Sequence, residues 1–192
     1  MLSNKIFIIS GPSAVGKNTI VDGVKKLLPQ TEETISCTTR KPRPGEKNRI
    51  HYYFLTDQEF QKKISERKFW ESFEVHGMRY GTLKSEIARI QKNGKIPLLI
   101  INVNGALYIK HSNPNVILIF IKPDSWEILK KRLEARKLKK RETQMRVKNA
   151  KNELMQAKFY DYQIINHTGR IKKTIQNVAE IIKKEANIAC NP

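Results

Sequence analysis

The sequence predicts an α/β fold: a central parallel sheet flanked by helices, with a small mixed-sheet insertion. Two observations carry this. Short apolar, β-rich runs recur at residues 5–9, 34–39, 97–103, 116–121 and 162–166, and segments of helical periodicity fall between most of them. The exception is residues 51–55 and 69–75, which are aromatic, alternate with polar residues and lie close together, as in a small added sheet. Insertions of this kind commonly carry a substrate site.

The elements follow in order. Residues 5–9 read as a buried strand that runs into a glycine. From Lys17 onward Ile20, Val21, Val24, Leu27 and Leu28 recur at helical spacing until Pro29 ends the pattern. Helical spacing returns at Leu83, Ile87 and Ile90, and at Ile128, Leu129, Arg132 and Leu133. It appears again over residues 142–157 and at Ile171, Ile175, Val178 and Ile182. There is no internal repeat, low-complexity stretch or Gly/Ser linker, so one domain over residues 1–192 is expected.

Composition limits the function classes. The chain has 192 residues, of which 39% are apolar, enough to bury a core. No apolar run approaches the roughly 20 residues that span a bilayer, so a membrane helix is not expected. The N-terminus passes straight into a strand without a secretory pattern, which gives the expectation of a cytoplasmic protein. Cys37 and Cys190 stand far apart without metal-ligand spacing, and they read as small residues in a reducing compartment. Lys and Arg number 37 against 18 Asp and Glu, a net charge of +19. Such a balance fits nucleic acid, acidic membranes or phosphorylated small molecules. Much of it is concentrated: residues 37–49 carry five bases against one acid, and residues 121–150 carry eleven against four.

Between the first strand and the first helix stands Gly11-Pro-Ser13-Ala14-Val15-Gly16-Lys17-Asn18-Thr19. Glycines at both ends let backbone N–H groups wrap a phosphate chain, the helix N-terminus adds its dipole, and Lys17 reaches the outer phosphates. The strict pattern places Ser or Thr directly after the lysine; here Asn18 holds that position and the hydroxyl comes at Thr19. The motif predicts a nucleotide-binding loop and leaves switch, motor and kinase open.

The segment Ser36-Cys-Thr-Thr-Arg40-Lys-Pro-Arg43-Pro-Gly-Glu46, followed by Tyr52, Glu71 and Tyr80-Gly81-Thr82, resembles the guanosine monophosphate site of the guanylate kinases. The later chain continues the resemblance in Gly94, Asn104-Gly105-Ala106, Leu129 to Arg136, Arg146 and Ile164-Ile165-Asn166. The resemblance implies a P-loop kinase in three parts: a core at about 1–34, 84–122 and 158–192, an acceptor-binding insertion at about 35–83, and a helical lid at about 123–157. It implies transfer of the γ-phosphoryl group of ATP, with Mg²⁺, to GMP and dGMP. Lys17, Arg40, Arg136 and Arg146 would be catalytic. Residues 11 and 13–19 with Arg132 and Asn166 would hold ATP, and Ser36, Arg40, Arg43, Glu46, Tyr52, Glu71, Tyr80, Gly81, Thr82 and Asn102 would hold GMP.

The chemistry of these residues agrees with that assignment. Arg40 and Arg43 can fork onto phosphate oxygens, and tyrosine hydroxyls can donate beside them. Guanine presents N1–H and its N2 amino group beside the O6 acceptor, which a carboxylate and hydroxyls complement. Adenine would put a lone pair at N1 against Glu71, and a buried group left unpaired costs about 1–3 kcal/mol.

Some positions depart from the family. Ile100 and Asn102 stand where carboxylates are usual, residues 137–141 are strongly basic, and His167 follows Asn166 where an acid is common. An Asn is a weaker ligand than a carboxylate for a hard Mg²⁺ ion. No metal-ligating set is assigned. These departures leave open a weakened guanylate-kinase-like binding module, or a related kinase with a different phosphorylated acceptor. Nucleic acid is not an expected partner, because the chain lacks an aromatic stacking motif or short RNA-binding signature.

Overall fold

The computed structural model describes residues 4–75, 77–135 and 140–188. Its main sheet has five strands: β1 (Ile6–Ser10), β2 (Thr31–Glu33), β7 (Ile96–Ile100), β8 (Val116–Pro123) and β9 (Tyr162–Asn166). They lie in the order β2-β7-β1-β8-β9, and every pairing is parallel. Strand β1 is buried along its whole length, and its residues alternate between two cores. Phe7 and Ile9 join Ile117, Ile119 and Ile121 on one face, whereas Ile6 and Ile8 join Leu118 and Phe120 on the other. The sheet therefore needs helices on both sides.

One face receives α1 (Lys17–Leu27) and α7 (Ile171–Glu185) through Ile20, Val21, Val24, Val178 and Ile182. The other receives α3 (Lys84–Lys92) and α4 (Val103–Ser112) through Ile87, Val103, Ala106 and Ile109. Helices α5 (Trp126–Glu134) and α6 (Lys140–Met155) follow β8, and Leu129, Leu133 and Ala150 anchor them to the α1 side. Among the described residues no helix is long and apolar enough to cross a membrane.

The insertion forms its own mixed sheet of β3 (Cys37–Thr38), β4 (Tyr53–Phe54), β5 (Phe69–Val75) and β6 (Met78–Leu83), in the order β4-β3-β6-β5. The continuous strand expected over residues 34–39 is corrected here: β2 and β3 are separate strands in different sheets. The chain crosses between the sheets at Thr34–Ser36, where Thr34 N–H still bonds Leu98 O while Ile35 N–H turns to the Glu86 carboxylate. Two helices join the expected set. Helix α2 (Asp57–Ser65) opens with a capping box, Thr56 Oγ1 accepting from Glu59 N–H at 3.2 Å and Glu59 Oε2 from Thr56 N–H at 2.7 Å. Helix α4 is capped by Asn102, whose Oδ1 accepts from Gly105 N–H at 2.8 Å, so the strand expected to reach residue 103 ends at Ile100.

Candidate active site

A cleft of about 940 Å³ opens at the carboxyl ends of β1, β2 and β7, where open parallel sheets bind ligands. One wall is the loop between β1 and α1. Gly11, with φ of 142°, could not carry a side chain, because a Cβ there would run into the Ile121 carbonyl oxygen of β8. Gly16 precedes α1 with φ of 102°, and a Cβ would stand 2.9 Å from Asn166 Nδ2. Lys17 donates to the carbonyls of Gly11 at 2.6 Å and Pro12 at 2.9 Å, bridging the loop that it closes. Ser13, Ala14, Gly16, Lys17, Asn18 and Thr19 face the cleft; Val15 is fully buried in the core.

Asn166 holds this loop from behind. Its Nδ2 donates to Val15 O at 2.8 Å, its Oδ1 accepts from Thr174 Oγ1 at 3.0 Å, and the side chain is buried. Its observed partners make it a brace for the loop backbone. Nearby, His167 Nδ1 lies 2.6 Å from Asp124 Oδ1, and the same carboxylate accepts from Thr168 N–H at 3.3 Å. Arg132 reaches Thr168 Oγ1 at 3.4 Å, so the β8–α5 and β9–α7 turns are tied together.

Helix α6 lies over the loop. Arg146 reaches Ser13 Oγ at 3.4 Å while Glu142 Oε1 accepts from its Nε and Nη2 at 3.1 and 2.8 Å. Two turns further along, burial raises the Glu153 carboxyl above the ordinary range against the opposing pull of Lys17. Arg136, expected beside Arg146, lies outside the described residues, as do Lys137, Leu138, Lys139 and Cys190.

The opposite wall comes from the insertion. Ser36, Arg40, Arg43, Glu46, Tyr52 and Tyr80 all line the cleft. Arg40 makes a two-pronged pair with Glu46, both contacts 2.9 Å, and its guanidinium stands over Tyr52 at 5.4 Å. Glu46 also accepts from Arg43 N–H at 2.7 Å, and the Arg40 bond holds its carboxyl below the usual range. Tyr52 and Tyr80 meet edge to face at 6.2 Å, and burial pushes the Tyr52 hydroxyl upward.

Glu71 and Thr82 pair across β5 and β6, beside Gly81 in the same sheet. Both are buried. Burial pushes the Glu71 carboxyl up to about 7, although Thr82 beside it pulls the other way. The Thr82 hydroxyl, fully buried, forms no hydrogen bond of good geometry among the described residues. Glu71, Gly81 and Thr82 are not among the residues lining the cleft, so the structure places this buried carboxyl and hydroxyl side by side in the insertion's sheet without opening them to it.

A family model described as guanylate kinase matches residues 3–185 of this sequence. The chain belongs to the guanylate kinase family. It is 35% identical over 185 residues to a guanylate kinase of Thermotoga maritima, covering 96% of this chain and 88% of the relative. With a Fusobacterium nucleatum guanylate kinase it shares 40% over 179 residues, 93% of this chain and 95% of the relative. The crystal structure of guanylate kinase from Anaplasma phagocytophilum superposes with a TM-score of 0.78 at 30% identity, covering 97% of this chain and 89% of that one.

Within this guanylate kinase fold the departures at Ile100 and Asn102 have defined surroundings. Ile100 packs partly on the core and presents an apolar face to the cleft, and Asn102 is engaged in capping α4. Among the described residues no group of three or more His, Cys, Asp or Glu side chains could hold a metal ion. The residues described fit a Mg²⁺ ion carried by nucleotide phosphates and water better than one held in a protein cage, and Thr19 is among those lining the cleft. Thr34, Ile35, Arg49, Ile50 and His51 also line the cleft, and sequence reasoning did not select them. Arg49 carries a sequence signal, lying in the same basic segment as Arg40 and Arg43.

Proposed function

We infer that the protein transfers the γ-phosphoryl group of ATP to GMP or dGMP, giving ADP and GDP or dGDP, with Mg²⁺ arriving on the triphosphate. The observation that carries this is the continuity of the cleft: Lys17 and its loop form one wall, and Arg40, Arg43, Tyr52 and Tyr80 with Ser36 form the other. Two phosphorylated ligands can thus meet end to end in one space.

The proposed division is a core at about 1–34, 84–122 and 158–192, an acceptor insertion at about 35–83 and a lid at about 123–157. In this reading the backbone N–H groups of residues 11–19 cradle the donor phosphates, and Lys17 exchanges its loop carbonyls for phosphate oxygens. Arg40, released from Glu46, and Arg43 neutralise the acceptor phosphate with the Tyr52 and Tyr80 hydroxyls. Glu71 as carboxylate accepts guanine N1–H and the N2 amino group, while Ser36 and Thr82 donate to O6. An acceptor phosphate oxygen then bonds the γ phosphorus in line as the bond to the β–γ bridging oxygen breaks. The protein's part is placement and charge stabilisation, with Arg146 and Arg136 on the transferring group and Arg132 near the donor. Closure of α5 and α6 would exclude water. On this reading the enzyme works in purine nucleotide metabolism, and its expected compartment is the cytoplasm.

Formation of ADP from ATP and Mg²⁺ tests the assignment, with GMP, dGMP, AMP and a ribose bisphosphate as acceptors and Lys17→Ala as control. GMP and dGMP support turnover, AMP and the bisphosphate do not, and Lys17→Ala falls by about a thousandfold. Turnover with AMP or the bisphosphate but not GMP would overturn it.

A further inference from the structure

We propose that Glu86 is a positioning residue of the acceptor site, a buried carboxylate that fixes the segments entering β3 and β4, at Ser36 and Tyr52, against the helix that follows Thr82. The proposal rests on the acceptor reading given above.

Glu86 sits in the first turn of α3 and is 4% exposed. Its Oε2 accepts from Ile35 N–H at 3.1 Å, and its Oε1 accepts from the Tyr53 hydroxyl at 3.0 Å. Arg89, one turn later, donates Nη2 to Oε2 at 3.1 Å and Nε to Oε1 at 3.3 Å. Two of the three donors, Ile35 and Tyr53, neighbour a site residue in sequence. Ile35 precedes Ser36, Tyr53 follows Tyr52, and Thr82 stands four residues before Glu86. Tyr53 N–H also bonds Ser36 O at 2.9 Å, so Ile35, Ser36, Tyr53 and Glu86 form a closed hydrogen-bonded ring.

The ring is anchored to the core sheet. Arg89 reaches Glu32 Oε1 on β2 at 2.6 Å, and Lys95 reaches Glu32 Oε2 at 3.1 Å. Burial alone would raise the Glu86 carboxyl, but the donors from Arg89, Ile35 and Tyr53 more than reverse that and hold it ionised. Glu86 is not among the residues lining the cleft, so it acts through its neighbours. Reading guanine with Ser36 and gripping phosphate with Tyr52 both demand placement to a fraction of an ångström. A neutral amide in place of the carboxylate keeps one acceptor oxygen and, in either orientation, turns N–H donors toward Arg89 and toward Ile35 N–H or the Tyr53 hydroxyl.

Steady-state kinetics of the full chain test this, with the thermal midpoint measured for each variant. Glu86→Gln should raise KM for GMP about tenfold and leave KM for ATP, and kcat at saturating GMP, within about twofold. Tyr53→Phe removes a single bond and should raise KM for GMP about threefold, which keeps the test alive if Glu86→Gln does not fold. Ser36→Ala and Tyr52→Phe report on the acceptor site itself. If those two raise KM for GMP while Glu86→Gln and Tyr53→Phe change only the thermal midpoint, Glu86 is merely structural and the proposal is wrong. If Ser36→Ala and Tyr52→Phe leave KM for GMP unchanged, the acceptor reading fails and takes the proposal with it.

Discussion

The two walls of the cleft are built on opposite principles. The donor loop is nine contiguous residues whose working parts are backbone N–H groups, running from the end of β1 into the first turn of α1 and braced by one buried amide, Asn166. The acceptor wall gathers side chains from residues 36 to 82 on a sheet whose β3 and β4 are two residues each, and polar bonds through Glu46 and Glu86 hold it. A phosphate is recognised by charge and by converging amides, which any sequence with the right backbone can supply. A base edge must be matched atom by atom, which takes specific side chains and a scaffold that aims them.

Of the changes that set one wall against the other through KM, the largest is expected on the acceptor side. Glu71→Gln replaces two acceptor oxygens by one and puts an N–H donor against guanine's own donors, so KM for GMP should rise by about 10- to 100-fold with KM for ATP little changed. The pH dependence sharpens the point. With the folded carboxyl at about 7 and the unfolded one at 4.5, the native state binds a proton that the unfolded state has lost between those values. Stability due to Glu71 is therefore present below pH 4.5 and is lost as pH rises through 7, a change on the order of 3 kcal/mol. Guanine needs the ionised form, so KM for GMP in the parent enzyme should fall as pH rises through about 7 and then level. The GMP phosphate also titrates near pH 6 in both enzymes. The difference between the parent and Glu71→Gln profiles isolates the carboxyl, and superimposable profiles would remove Glu71 from guanine recognition.

On the donor side the corresponding break is Asn166→Ala. It strips Val15 O and the Thr174 hydroxyl of their partners. Each buried group left unpaired costs about 1–3 kcal/mol, so the thermal midpoint should drop by several degrees. KM for ATP should rise severalfold while KM for GMP stays put. Equal rises in both would mean that the walls are not independently built.

The difference between the walls also explains what the sequence disclosed. The loop was readable because its residues are adjacent and its flanking strand is apolar on both faces. The main strands were readable for the same reason. Residues 34–39, by contrast, look like one β-rich run, but only Cys37–Thr38 is strand, and residues 34–36 cross from the main sheet to the insertion's sheet, where a carboxylate 51 residues away from Ile35 claims its N–H. Nothing local marks Glu86, which reads as a surface acid on an amphipathic helix. Helix α2 escaped because it buries only Phe60 and so lacks an apolar stripe, although Thr56 and Glu59 do spell a capping box. Asn102 and Asn166 were read by their resemblance to nucleotide contacts. Their hydrogen bonds make one a helix cap and the other a loop brace, roles that depend on partners the motif does not contain.

The smallest effect is expected where neither principle applies. Lys140 and Arg141 begin α6, are both exposed, and belong to the basic run that adds to the +19 charge. Arg146, five residues on from Arg141, is held by Glu142 and reaches the phosphate loop, whereas no comparable bond from Lys140 or Arg141 is seen among the described residues. Charges in water are screened over about 8 Å at physiological salt, so these two can act on nucleotides only as a diffuse field. Lys140→Ala with Arg141→Ala should leave kcat and both KM values within about twofold at physiological ionic strength, and raise KM for ATP slightly more when salt is lowered. A loss approaching that of Arg146→Ala at physiological salt would place them on the transferring phosphates and extend the donor wall into the lid.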